Sequence, residues 1–361
     1  MSVRAARCIL VLGAGGTLGQ LLCELLREEL PDAEIIGASR SAGLTGGRAQ
    51  RYLDINEPAS YGAALAGVRL LIHAAGPYHH DPGPLVSACL NNGTHYIDLA
   101  EDLHFISKVK AAAAAVSGPR SVAVPGCSTV PALVELLSST FPGGGGKRLE
   151  VYLSLGSRNP VSGGLLFGLL RPLGCPLGHG SDNGRRAFRQ LRRYRHHDGV
   201  VRSYGRYPIP FDGAVGLARG AVPVEFYVGF DRHYINAILW LASYVMPHVS
   251  SPLLRRATCP AVAVARFARR LGTDEGHLLL SLCDAWGRPV RELEVIAKKE
   301  GLKIPAAPAL WASKALLAGG NNLPPVPGLV DLMAADEAIE WLTRRGYQVE
   351  RRQFSEPADV H

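Results

Sequence analysis

The stretch VLGAGGTLG, residues 11 to 19, constrains this chain more than any other. A short apolar run suited to a strand ends in glycines at 13, 15, 16 and 19, and helical text follows at once. Such a turn leaves several backbone N–H groups unpaired at one point, where the helix dipole also favours negative charge. The spacing is Gly13-x-x-Gly16-x-x-Gly19 with an added Gly15, since Leu18 stands where the commonest dinucleotide fingerprint has glycine. A glycine turn alone serves tight packing equally well. At the first strand of an alternating βα pattern, it points to a dinucleotide pyrophosphate lying on Gly13, Gly15, Gly16, Thr17, Leu18 and Gly19.

The alternation continues, with strands expected at 8–13, 34–39, 69–75, 95–99 and 121–126 and helices between them, which predicts a doubly wound parallel sheet of the Rossmann kind. The second strand ends in Ser39, Arg40 and Ser41 with no acidic residue. An acid there would hold the ribose hydroxyls of NAD, whereas arginine suits the 2′-phosphate of NADP, so NADP is the expected cofactor, with Arg48 or Arg51 assisting. Asp54 is expected beside the adenine.

After the glycines at 143–146 the text becomes rich in Gly, Pro and Arg. This places a dinucleotide-binding domain at 1–128 and an α/β (α+β) substrate or dimerisation domain at 129–305. Helical text returns at 308–320 and 331–346. With 361 residues, 47% of them apolar and 19% charged, the chain suits two folded domains rather than a disordered or fibrous class. The net charge of +8 is localised, because residues 129–305 hold 24 Lys and Arg against 13 Asp and Glu. Seven scattered cysteines without a Cys-x-x-Cys pair argue against a disulfide framework or a zinc site. No leader pattern opens the chain, and the apolar run at 235–246 is too short to span a bilayer, so a cytoplasmic protein is expected.

Three further stretches resemble the saccharopine dehydrogenase-like oxidoreductases: AGPYHHDPGPLVSACLNNGTHYIDLAED (75–102), VPGCSTVPALVELLS (124–138) and SRNPVSGGLLFGLL (157–170). The resemblance covers about the first 175 residues and returns weakly after about 305. It implies that Ala75, Gly76 and Pro77 lie along the cofactor, that Tyr78 faces the reaction space and that the segment 306–361 packs back on the first domain. Saccharopine-forming members carry Gly-Leu-Asp-Pro-Gly where this chain has Gly126-Cys127-Ser128-Thr129-Val130-Pro131. The missing aspartate argues against saccharopine itself as substrate.

None of the 12 tyrosines has lysine four residues on, which excludes the Tyr-x-x-x-Lys mechanism of ordinary short-chain reductases. The candidate proton donors are Tyr78, His79, His80, Asp98, Cys127 and Ser128, of which Tyr78, Asp98 and Cys127 are carried forward as catalytic. Each has a structural alternative: a surface turn for the histidines, a loop brace for Asp98, a small buried group for Cys127. The expected reaction is NADPH-dependent reduction of a C=N (imine) or C=C bond in a biosynthetic intermediate. Two alternatives stand beside it: an enoyl or keto reductase acting on a lipid or carrier-bound substrate at a membrane surface, and an NADP-binding regulator without catalysis. The segment 185–208 holds eight arginines, with Arg185, Arg189, Arg192 and His196 at helical spacing. It reads as a solvated face or an anion dock; no nucleic-acid module accompanies it. The expected partners are a small-molecule or lipid-like substrate, with a homodimer and peripheral membrane contact left open.

Overall fold

The computed structural model describes residues 7–40, 43–45, 48–118, 120–141, 146–177, 184–209, 214–217, 220–319 and 323–354. The chain divides into two compact units: one runs to Leu136 and takes back Leu302–Ala334, the other holds Leu137–Gly301 and the chain from Ala335 onward.

The first unit follows the βα rhythm of the sequence. In order come β1 (Cys8–Leu12), α1 (Thr17–Glu29), β2 (Glu34–Ser39), β3 (Gly43–Thr45), β4 (Arg48–Tyr52), α2 (Tyr61–Leu65), β5 (Leu70–His73), α3 (Gly83–Asn91), β6 (His95–Asp98), α4 (Leu103–Ala114) and β7 (Ala123–Val124), followed by α5 (Val134–Ser138). The sheet order is β3-β4-β2-β1-β5-β6-β7, parallel from β4 to β7, with β3 a short antiparallel addition. The chain therefore leaves β1 toward β2 and β4, then crosses to β5 on the other side. This reversal at β1 and β5 opens the crevice in which a doubly wound sheet holds its ligand. β1 and β5 are buried at every position, as parallel strands covered on both faces must be. β4 went unread in the sequence, because Arg-Ala-Gln-Arg-Tyr carries no apolar run.

The second unit is built on a mixed sheet. Its elements are β8 (Arg148–Leu155), α6 (Gly163–Leu170), β9 (Leu191–Arg195), β10 (Val201–Tyr207), β11 (Ala214–Leu217), β12 (Gly220–Phe230), α7 (His233–Val245), α8 (Ser251–Ala268), β13 (Gly276–Cys283) and β14 (Pro289–Ala297). The tail is shared: α9 (Ala307–Ala318) belongs to the first unit, whereas α10 (Ala335–Arg344) and β15 (Gln348–Gln353) belong to the second. The second sheet runs β15-β14-β13-β8-β12-β10-β9, with β11 paired to β12, and only β8 and β12 are parallel.

The helical face expected at Arg185, Arg189, Arg192 and His196 does not form. Residues 191–195 are strand β9, joined to β10 through Asp198-Gly199, where Gly199 has φ +80° and Val200 N–H donates to Asp198 Oδ1 at 2.8 Å. An Asp-Gly pair between alternating residues is a strong hairpin signal, and it overrides the helical spacing of the arginines.

Candidate functional site

The four glycines of the first turn do two different jobs. Gly13 has φ +88°, and a Cβ there would stand 2.8 Å from the Ala75 backbone; a Cβ on Gly19 would stand 2.1 Å from Gly13 O. Both are glycine because the backbone itself approaches too closely. Gly15 is different: it is exposed, its φ is not left-handed, and a Cβ there would meet nothing within 4 Å. Gly16, the N-cap of α1, offers no side-chain cap to the first helical turn. Gly16 closes the turn, its N–H donating to Gly13 O at 2.9 Å and a Cβ there standing 3.3 Å from the same oxygen, so Gly13, Gly16 and Gly19 anchor the turn and Gly15 leaves an open cradle of backbone beside a helix N-terminus. A pyrophosphate fits such a cradle. Gln20 Nε2 donates to Gly15 O at 3.0 Å and steadies it.

The remaining cofactor candidates lie on the same edge of the sheet. Arg40 is exposed immediately after β2, and Ser39 Oγ donates to Gln50 Oε1 at 2.8 Å across the β2–β4 pair. Arg51 is committed elsewhere, since its Nη1 donates to the carbonyls of Ala64 at 2.8 Å and Ala66 at 2.7 Å. Ser41 and the Arg48 side chain lie outside the described residues. Asp54 turns its chain by accepting from Asn56 N–H at 2.9 Å. Ala75, Gly76 and Pro77 follow β5 beside the Gly13 turn, and a Cβ on Gly76 would meet only the Tyr78 ring, at 3.7 Å.

Beyond that turn stands an aromatic cluster at the ends of β5 and β6. His73 Nδ1 lies 3.1 Å from the Tyr96 hydroxyl, and the His73 ring packs against Tyr78, His80, Tyr96 and Phe105. Burial, helped by His80, pulls the His73 pKa down to about 3, so the ring is neutral. In the sequence His73 is marked only as a lone polar residue inside the apolar run 69–75. Tyr78 is partly exposed, and its hydroxyl donates to His73 O at 3.1 Å. Burial, with the Asp98 carboxylate, pushes its phenol well above the ordinary tyrosine range.

Asp98 is fully buried. Its Oδ1 accepts from Ala100 N–H at 3.0 Å and Gly126 N–H at 2.9 Å, and its carbonyl accepts from Cys127 N–H at 2.7 Å. It thereby ties the end of β6 to the end of β7. Burial raises its pKa to about 6 against the pull of those N–H groups. Cys127 is also sealed, its thiol near Val124 O at 3.6 Å and pushed far above the ordinary range by burial. Ser128 Oγ donates to Glu101 Oε1 at 2.8 Å. His79 is exposed; His80 is partly buried, and burial lowers its pKa.

The second unit holds a dense polar network on one face of its sheet. Buried Glu150 accepts from Arg148 and Arg192, each at 2.8 Å, and from Tyr152 at 2.7 Å; Glu225 pairs with Arg206 at 2.5 Å. Tyr194 of β9 bonds Glu292 of β14 although four strands lie between them in the sheet, so the β9–β10 hairpin curls back over the face. His196 and His277 each bring Nδ1 to 2.6 Å from Glu294 Oε1. Two ligands of one tetrahedral zinc, each about 2.1 Å from the ion, stand about 3.4 Å apart, so these are hydrogen-bond separations.

Comparison with known proteins agrees with the first unit. Residues 9–117 match the family described as the saccharopine dehydrogenase NADP binding domain. A probable mitochondrial saccharopine dehydrogenase-like oxidoreductase of Arabidopsis thaliana is 28% identical over 120 residues, 30% of this chain and 26% of that one. A trans-acting enoyl reductase of Mycobacterium leprae is 31% identical over 137 residues, 34% of this chain and 33% of that one. The chain thus spans about a quarter to a third of the length of these relatives. Among solved structures, the triphenylmethane reductase of Citrobacter sp. complexed with NADP(H) is 26% identical, with a TM-score of 0.26, over 29% of this chain and 44% of that one. The WlbA dehydrogenase of Thermus thermophilus in complex with NAD and alpha-ketoglutarate is 14% identical, with a TM-score of 0.41, over 98% of this chain and 97% of that one. The resemblance drawn from the sequence holds, and so does NADP as the cofactor.

Proposed function

From a first unit that carries a saccharopine dehydrogenase-type NADP-binding domain, we propose that the chain is an NADPH-dependent reductase of a C=N or C=C bond in a biosynthetic intermediate. The observation that carries this reading is the open backbone at Gly15, a glycine that no packing demand explains. The Mycobacterium leprae relative, an enoyl reductase by name, favours the C=C form.

NADPH supplies a hydride; the protein binds, orients and provides a proton. In this reading the α1 N-terminus and the Gly15–Gly16 backbone hold the pyrophosphate, and Arg40 meets the 2′-phosphate. Tyr78 is the proton donor that suits the geometry best, since it is partly exposed while Asp98 and Cys127 are sealed. The pKa shift keeps its phenol protonated throughout the neutral range. Asp98 and the neutral His73 then position the β5 and β6 ends around it.

The test is a fluorescence titration with NADPH and NADH, followed by cofactor oxidation in the presence of enoyl and imine substrates. Arg40→Ala should weaken NADPH binding by about tenfold or more, the value of one charge-assisted contact, and leave NADH nearly unchanged. Equal losses for both would remove Arg40 from the 2′-phosphate. Tyr78→Phe should lower kcat while leaving NADPH affinity intact; unchanged turnover would assign the proton to another group.

A further inference from the structure

Helix α7 is amphipathic in the wrong sense for a helix in water. Its buried positions are Asn236, Leu239 and Ser243, and its exposed line runs Tyr234, Ile238, Leu241, Tyr244 and Val245, with Ile238 and Leu241 each 59% exposed. The two buried polar residues are locally satisfied: Asn236 bonds both the N–H and the carbonyl of Phe230, and Ser243 Oγ donates to Trp240 O at 2.6 Å. Burial therefore spends α7 on backbone capping and leaves its aliphatic side outward. A contiguous exposed apolar stripe of this kind marks a surface that something covers.

The charge of the segment that carries it says what. From Arg232 to Thr273 the chain holds no Asp or Glu and six arginines. Helix α8, which follows α7 after a single turn of 3-10 helix, buries Leu254, Thr258 and Val262 along one line. Arg255 and Arg266 share a second, exposed line, exposed Leu253 and Val264 a third, and exposed Arg270 follows in the 3-10 turn just after the helix. On α7, Tyr244 lies beneath the Arg189 guanidinium at 3.7 Å, an aromatic–cation pair suited to a headgroup region. Among the described residues no helix is long and apolar enough to cross a membrane.

We propose that α7 and α8 form a docking surface for an anionic lipid bilayer, with the α7 stripe in the acyl boundary and the α8 arginines at the headgroups. A second copy of this chain fits less well. A two-fold interface would bring the same arginine-bearing segment, which holds no Asp or Glu from Arg232 to Thr273, against itself, like charge on like. The proposal stands independently of the reductase reading, because it concerns binding to vesicles without cofactor or substrate.

The test is co-sedimentation of the full chain with vesicles of phosphatidylglycerol and phosphatidylcholine, and with phosphatidylcholine alone, at low and high salt. Binding to the anionic vesicles at low salt, weakened by salt and by neutral lipid, is expected. Leu241→Asp and, separately, the pair Arg255→Glu with Arg266→Glu should each lower the partition coefficient at least about tenfold. All these side chains are exposed, and circular dichroism checks that each variant folds. Failure to sediment with anionic vesicles overturns the proposal, as does binding that neither variant changes. So does a dimer in solution that Leu241→Asp dissociates, which would assign the stripe to a second copy.

Discussion

Gly15 shows how one residue separates a fold requirement from a ligand requirement. Gly13 and Gly19 are imposed by backbone contacts at 2.8 and 2.1 Å, whereas nothing in the protein would touch a Cβ on Gly15. Gly15→Val should therefore leave the melting temperature almost unchanged and lower NADPH affinity at least about tenfold, because the branched side chain fills the space a pyrophosphate needs. Gly19→Ala should instead destabilise the first unit by about 1–3 kcal/mol, the usual range for overpacking. Thermal melts with a parallel NADPH titration distinguish them, and equal melting losses for both would end the division of labour. Asp98 admits a similar separation. Its folded pKa of about 6 stands above the ordinary 3.8, so the folded state holds the proton more tightly. Stability associated with it is full below pH 3.8 and is lost as pH rises through about 6. Asp98→Asn keeps an oxygen for the Ala100 and Gly126 N–H groups and should remove that slope. Asp98→Ala orphans both donors and should lose about 1–3 kcal/mol at every pH. Melts from acid to neutral pH check the pair; an unchanged slope in the Asn variant would show that Asp98 does not titrate there.

At the scale of elements, strands β13 and β14 hold the features hardest to read from sequence. Glu294 is buried, accepts from His197 N–H at 3.1 Å and meets both His196 and His277, which hold its carboxyl far below the ordinary carboxylate range despite burial. A depressed carboxylate contributes stability above its unfolded pKa of 4.5 and loses it as pH falls further. Burial lowers the His196 pKa, so its ring is neutral at neutral pH, and Glu294→Gln should cost about 1–3 kcal/mol there, as weakening buried hydrogen bonds does, and flatten the loss of stability in acid. Chemical denaturation at several pH values measures both, and an equally steep acid loss in the variant would move its origin elsewhere. The sequence concealed this network because charged residues in alternation predict a solvated face, and here the alternation points Arg192, Tyr194 and His196 inward onto buried glutamates. Asp198-Gly199 was the legible signal for the hairpin, and the spacing of the arginines distracted from it. The first sheet was readable for the opposite reason: β1 is a fully buried apolar strand, and β5 is apolar up to His73, so pattern and burial agree.

At the scale of the molecule, the C-terminal segment is divided between the two units. Helix α9 packs against α1, β5 and β6, and its Ala309, Leu310 and Ala312 are wholly buried, so it lies behind the strands that carry the glycine turn and the aromatic cluster. β15 instead extends the second sheet, pairing Gln348–Gln353 with Arg291–Ile296, while α10 buries Ala338, Trp341 and Leu342. The helical text at both places was legible; its ownership was not, because an amphipathic helix records that it has a partner and not which one. Two truncations separate the roles. A chain ending at Ala334 keeps α9 and loses only α10 and β15, so it should bind NADPH with nearly full affinity while the second sheet, its β14 edge uncovered, melts earlier or aggregates. A chain ending at Gly301 loses α9 as well and uncovers apolar surface under the cofactor turn, so NADPH binding should disappear with it. NADPH titration and circular dichroism melts on both decide the matter: retained binding in the shorter chain would mean that α9 is dispensable to the cofactor domain, and lost binding in the longer one would tie α10 or β15 to the cofactor site.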